Sequence, residues 1–197
     1  ARERGVWAIV CAQYTQSWGL YGMLSWLPTL LSERYGIALG DLALLTTAPY
    51  LVQGVVGLGA GVLADRLIVG GMGPKAVRQY MQGIGMVSPA VLLLLASQPS
   101  VSLESATILI TLGLGLSALT LGGVSAAHLD LSRKHSGMIF GIGNTAGTFG
   151  GFVSTYACGA VQEAFQSWGA VLVVIALHYL VGALLFHVWV EDTPLEY

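Results

Sequence analysis

Charge is missing from six long stretches of this 197-residue chain, and the length of those stretches limits its fold more than any other feature. No Asp, Glu, Lys or Arg occurs in 5–32, 42–64, 79–103, 105–129, 135–162 or 164–190. A bilayer core about 30 Å thick takes about 20 apolar residues of helix at 1.5 Å each, so each stretch holds one tilted spanning helix and little else. Only 9% of the residues are charged against 55% hydrophobic, too little polar surface for a domain that must face water. The expected fold is an all-α membrane protein with spans at about 6–31, 42–64, 79–97, 105–127, 137–161 and 168–190. The first stretch reads as a span and not as a cleaved leader, because its apolar run is long and holds Tyr14, Gln16 and Trp18.

Basic residues give the orientation. Arg2, Arg4, Arg66, Lys75, Arg78, Arg133 and Lys134 fall on one side of that arrangement and only Arg34 on the other, so the positive-inside rule puts both ends of the segment on the cytosolic side. A net charge of -2 and the lack of a basic domain leave nothing for nucleic acid to bind. Cys11 and Cys158 both lie in spans and read as small buried hydrophobes, not a disulfide.

Residues 65–78, rich in Gly and basic side chains, read as the one long connection; the other links are short, so neighbouring helices run antiparallel in one bundle. The acidic, Pro-containing segment 191–197 reads as a frayed tail. Many of the 27 glycines fall in spans, where small residues let backbones approach. The pairs Gly57/Gly61, Gly137/Gly141, Gly143/Gly147 and Gly147/Gly151 have the spacing for this, and Pro28, Pro49 and Pro89 interrupt three spans. Gln13, Ser17 and Tyr21 share one face of the first span, flanked by Tyr14 and Gln16. Such polar side chains either line a cavity or bond between helices. Gln53 in span two has the same two readings. In span five, Gly137, Gly141, Asn144, Thr148, Gly151 and Thr155 form one stripe, read as tight packing or as cavity lining.

Two stretches carry a family resemblance. Gly61, then Asp65-Arg66, then Gly70, Gly71, Gly73, Lys75 and Arg78, resembles the cytoplasmic loop signature of the major facilitator superfamily. His128-Leu129-Asp130-Leu131 with Gly141-Ile142-Gly143-Asn144-Thr145-Ala146-Gly147-Thr148 resembles a segment of its anion:cation symporter family, the relatives of sodium-phosphate, vesicular glutamate and sialic acid carriers. The wording around Trp7, Trp18-Gly19-Leu20-Tyr21 and Trp26-Leu27-Pro28 is closest to the plant and algal plastid-type phosphate transporters. Ala127 stands where that family usually has Asn, and Gln16 where the vesicular glutamate carriers have Arg, which weakens an organic-anion reading.

The resemblance implies that the chain is the C-terminal half of a twelve-helix fold, built from two inverted three-helix repeats, with an N-terminal six-helix half as its partner. It implies alternating-access transport of inorganic phosphate or a related small anion, coupled to Na⁺ or H⁺ with no cofactor, in a membrane that is plastidic by resemblance. Gln13, Tyr14, Gln16, Ser17, Tyr21, Gln53, Asn144 and Thr148 are then the expected cavity lining. Gly61, Asp65, Arg66, Arg78, His128 and Asp130 are the expected conformational latch, the alternative being residues that only anchor helix ends. Organic-anion transport by the same family and a non-transporting six-helix scaffold are the competing functions.

Chemistry of other kinds finds no support in the sequence. Gly141-Ile-Gly143-Asn-Thr-Ala146 lies in a span with no strand before it, so it is no dinucleotide fingerprint. Residues 70–75 lack the spacing and the Ser or Thr of a P-loop. The four histidines are scattered, and no nucleophile sits beside a base, so neither a metal site nor an enzyme is expected. No basic residue lies at depth to balance an anion, and the resemblance assigns that charge to the other half.

Overall fold

The computed structural model describes residues 2–191, without the side chains of Arg2, Glu3 and Leu39. The tail expected beyond Glu191 lies outside the described residues. The helices are α1 (Arg2–Tyr35), α2 (Leu42–Val69), α3 (Pro74–Ala96), α4 (Leu103–Ser117), α5 (Val124–Leu131), α6 (Ser136–Phe165) and α7 (Trp168–Trp189). A 3₁₀ segment, Ala118–Gly122, joins α4 to α5, so the fourth span is one path in three pieces.

Two sequence expectations change here. The long connection over 65–78 is only 70–73, because α2 runs on through Asp65 and Arg66 to Val69 and α3 begins at Pro74. Gly71, at φ 97°, makes the reversal, and Pro74 in the first turn gives up an N–H that had no helical partner there. Span four, expected as one helix over 105–127, breaks at Gly122–Gly123 and continues to Leu131. The break is held from outside: Gln82 Oε1 on α3 accepts the N–H of Val124 at 2.9 Å, which the missing turn leaves unpaired. A side chain at Gly123 would strike the α3 backbone, its Cβ lying 2.9 Å from the Gln82 nitrogen.

The helix neighbours repeat with inversion. α1 packs along α6 and α7, α4 packs along α2 and α3, and α3 meets α7. Exchanging α1 with α4, α2 with α6 and α3 with α7 returns the same set of contacts, which is the pattern of two inverted three-helix repeats. The main core lies among α1, α3, α4 and α7, where Trp18, Leu27, Met86, Leu93, Ile110, Leu114, Ile175 and Tyr179 pack together.

The helices α2, α3, α4 through α5, and α7 are each long and apolar enough to cross a membrane. The other two long helices, α1 and α6, hold more polar and small residues and spend them on each other. Gly143 packs on Gln13 and Ile9, Gly147 on Ser17, Gly150 on Tyr14 and Gly151 on Tyr21. A Cβ at Gly147 would lie 2.8 Å from Ser17 Oγ, so these glycines set how close the two helices run. On α2 the outer face exposes Leu44, Leu51, Val55, Leu58 and Val62, an apolar surface that lipid or further apolar protein must cover.

Candidate functional site

A cavity of about 460 Å³ opens between α1, α2 and the 3₁₀ segment of span four, lined by Gln16, Leu20, Tyr50, Gln53, Gly54, Gly57, Leu58, Ala118 and Leu121. Its polar chemistry is fixed by two hydrogen-bond chains. Gln16 Nε2 donates to Thr120 Oγ1 at 2.5 Å, and that hydroxyl donates to the Ser117 carbonyl at 2.7 Å. Gln53 Nε2 donates to Ser117 Oγ at 3.0 Å, and that hydroxyl donates to the Leu114 carbonyl at 2.7 Å. Each hydroxyl has given its one proton to a backbone carbonyl and can only accept from the amide, so both Gln side chains present N–H at these contacts. The two chains brace α1 and α2 onto span four at the place where its α-helix tightens into 3₁₀.

Of the residues expected to line a cavity, Gln16 and Gln53 do so. Gln13 is 9% exposed and buried in the α1–α6 seam against Gly143, with Oε1 accepting no hydrogen bond. Tyr14 and Ser17 are half-buried in the same seam, and Tyr21 lies over Gly151 at its edge. Asn144 and Thr148 are exposed on the outer side of α6, with Thr148 Oγ1 bonded back to the Asn144 carbonyl. The span-five stripe therefore differs from the one expected. Gly143, Gly147, Gly150, Ser154 and Cys158 face inward, while Gly137 and Gly141 have nothing within 4 Å. The seam continues outward through Ser25, bonded to Thr155 Oγ1 at 3.0 Å, and Trp26, whose Nε1 donates to the Thr155 carbonyl. Sequence reasoning passed over Tyr50, one helical turn before Gln53 and therefore on its face; that i, i+3 spacing was the available signal.

The residues expected to form the latch separate into two groups. Arg78 and Asp130 come together: Arg78 Nε donates to Asp130 Oδ2 at 2.7 Å, Nη2 to Oδ1 at 3.5 Å, and Nη1 to the Gly122 carbonyl at 2.9 Å. The pair ties α5 to the start of α3 and satisfies a carbonyl freed by the helix break. Asp65 and Arg66 stay exposed on the last turns of α2 and pair with nothing among the described residues, and Gly61 has no neighbour within 4 Å. Gly57, its expected partner in close packing, meets Leu121 instead. His128 packs its ring against Phe140 at 5.2 Å, and its buried Nδ1 makes no hydrogen bond. At the opposite end of the bundle Arg34 donates to the carbonyls of Ala96 and Gln98, which closes the end of α3.

A half-bundle of inverted three-helix repeats, with an amide-braced cavity beside span four, narrows the families that fit. The sequence profile of the Major Facilitator Superfamily matches residues 1–155. The chain belongs to the Major Facilitator Superfamily. Similar proteins include "Probable anion transporter 5, chloroplastic" of Oryza sativa subsp. japonica, 32% identical over 198 residues that cover 100% of this chain and 42% of that protein. "Probable anion transporter 6, chloroplastic" of Arabidopsis thaliana is 33% identical, over 96% of this chain and 37% of its own length. "Ascorbate transporter, chloroplastic" of Arabidopsis thaliana is 29% identical, over 93% of this chain and 34% of its own length. This major facilitator chain thus spans less than half the length of these relatives. Two of these relatives carry the names of anion transporters and one that of an ascorbate transporter.

Proposed function

We propose that this chain forms one wall of the central pathway in a secondary transporter that moves a small anion, inorganic phosphate first, by alternating access coupled to Na⁺ or H⁺. The observation that carries the reading is the cavity wall itself: Gln16 and Gln53 bring amide N–H groups to it, and no carboxylate lies among the lining residues. A wall of neutral donors attracts oxyanion acceptors without trapping them, which suits a carrier that must also release. The strong countercharge belongs to the remainder of the protein, which is a six-helix half packed against α2 and α6. The end that holds Arg4, Arg66, Lys75, Arg78, Arg133 and Lys134 faces the cytosol or its topological equivalent, and the membrane is plastidic.

A second substrate, a hydroxylated organic anion, is favoured by Leu20, Leu58 and Leu121, which give the cavity an apolar side that phosphate has no surface to use. It is also favoured by the relative named for ascorbate. Uptake of labelled phosphate, ascorbate and glutamate into proteoliposomes of the full-length protein, under imposed Na⁺ or pH gradients, separates the readings. Phosphate uptake that follows either gradient supports the first. Ascorbate uptake without phosphate uptake supports the second, and no gradient-driven uptake of any of the three removes both.

A further inference from the structure

A second cavity, of about 380 Å³, opens where α1, α3 and α6 end and α7 begins, at the end of the bundle opposite Arg78 and Asp130. It shares no lining residue with the cavity beside span four, and its volume suits a small ligand. One acid and one base line it, Glu33 and Arg34, and each is tied to neutral groups instead of to the other. Glu33 Oε2 accepts from Trp168 Nε1 at 2.9 Å. Arg34 Nη1 donates to the Ala96 carbonyl at 2.9 Å and Nη2 to the Gln98 carbonyl. Both charges therefore stay uncompensated toward the pocket, with N–H groups of the guanidinium and one carboxylate oxygen still to be engaged.

Two further groups extend this pattern. Gln162 lines the pocket from α6, and its buried Oε1 makes no hydrogen bond, an acceptor that a ligand N–H would satisfy. Ser167 caps α7, whose first N–H groups, on Trp168 and Gly169, have no partner in their own helix. A simple anion here would meet the Glu33 carboxylate, and a simple cation the Arg34 guanidinium. A ligand that carries both charges meets neither penalty. The pocket also lies at helix ends beside an aromatic pair, Trp168 and Trp26 with rings 5.9 Å apart, as is common at a membrane surface. Leu95 and Phe165, exposed on the last turns of α3 and α6, offer apolar surface to acyl chains at the same end.

We propose that this pocket binds a small zwitterion of the ethanolamine phosphate type, on a membrane lipid or free, its primary ammonium donating to Glu33 and Gln162 and its phosphate accepting from Arg34 and the first turn of α7. The ligand joins α1 and α3 of one repeat to α6 and α7 of the other and stabilises the fold by binding the folded form alone. The site is separate from the anion pathway and does not depend on which anion is moved.

The test titrates the full-length protein in detergent with ethanolamine and choline phospholipids of identical acyl chains, and reads binding by native mass spectrometry and by melting temperature. Choline keeps the charge and the phosphate but has methyl groups where ethanolamine has N–H donors. Wild type is expected to bind the ethanolamine lipid about fivefold more tightly and to melt higher with it, the margin being modest because Glu33 is exposed to screening by water. Glu33→Gln keeps an acceptor for Trp168 Nε1, so it is expected to melt as wild type without lipid and to bind the two lipids alike. Gln162→Leu deletes the unpaired carbonyl and is expected to cut the preference about twofold with no loss of melting temperature. Equal binding of the two lipids by wild type, or a preference unchanged in both variants, overturns the site. If Gln162→Leu does not accumulate, Glu33→Gln alone decides. Free ethanolamine phosphate that displaces the lipid at equal concentration supports the site with a solute as its occupant, and failure to displace it supports the lipid headgroup.

Discussion

Asp130→Asn tests the tie between α3 and α5. Arg78 is 8% exposed and directs two of its three hydrogen bonds to Asp130 and the third to the Gly122 carbonyl. Breaking a buried ion pair costs about 3–5 kcal/mol, because the remaining charge stays buried. Two features lower that figure here. Asp130 retains 25% exposure, and an Asn in its place still offers one acceptor to Nε. About 2 kcal/mol is left, which for a chain of this size corresponds to about 4–8 °C in melting temperature. Thermal melting of the purified protein in detergent measures it. The double variant Arg78→Met with Asp130→Leu removes both charges and is expected to melt within about 3 °C of wild type, since apolar replacement of a buried pair is often neutral. Asp130→Asn melting at the wild-type temperature, or the double variant falling further than the single, would refute the reasoning.

Three further outcomes follow from the same geometry. Gly143→Val drives a branched side chain into Gln13 and Ile9 and is expected to destabilise by about 1–3 kcal/mol, whereas Gly141→Ala, with nothing within 4 Å, is expected to melt at or above wild type; equal effects in detergent melting would place the seam elsewhere. Gln53→Leu removes a neutral donor and is expected to raise KM for the transported anion about fivefold with turnover nearly intact, and a drop in turnover alone would contradict a wall role. Asp65→Asn, at the exposed residue that the family resemblance assigns to a conformational latch, is expected to slow turnover several-fold and leave KM within about twofold. A loss of affinity without a loss of rate speaks against the latch.

Much of the architecture was legible because charge is so costly in a bilayer that its absence marks depth, and the six charge-free stretches map onto α1, α2, α3, span four, α6 and α7. The end of α2 was not legible from charge. Asp65 and Arg66 sit on helix that projects past the apolar core, and the true stop is Gly70-Gly71, where positive φ breaks the ladder. The break in span four was hidden for a different reason. Gly122-Gly123 permits it, but the partner that holds it is Gln82, 42 positions away. On α6 the expected pairs Gly143/Gly147 and Gly147/Gly151 do pack on α1, whereas Gly137/Gly141 face open space, because the helix carries two small-residue stripes of nearly equal spacing and only contact with α1 selects between them. Gln16 and Gln53 were visible as polar residues in apolar runs.

The claim that the cavity beside span four lies on the substrate pathway has a direct measurement. Gly54 lines that cavity with no atom within 4 Å of a would-be Cβ, so Gly54→Cys, in a background of Cys11→Ala and Cys158→Ala, places one thiol there without a clash. Labelling by a membrane-impermeant thiol reagent in proteoliposomes of the full-length protein, with and without the transported anion, reads access to it. The account predicts labelling that the anion slows and that abolishes uptake once complete. Labelling at one rate with or without the anion, while uptake survives, would contradict it.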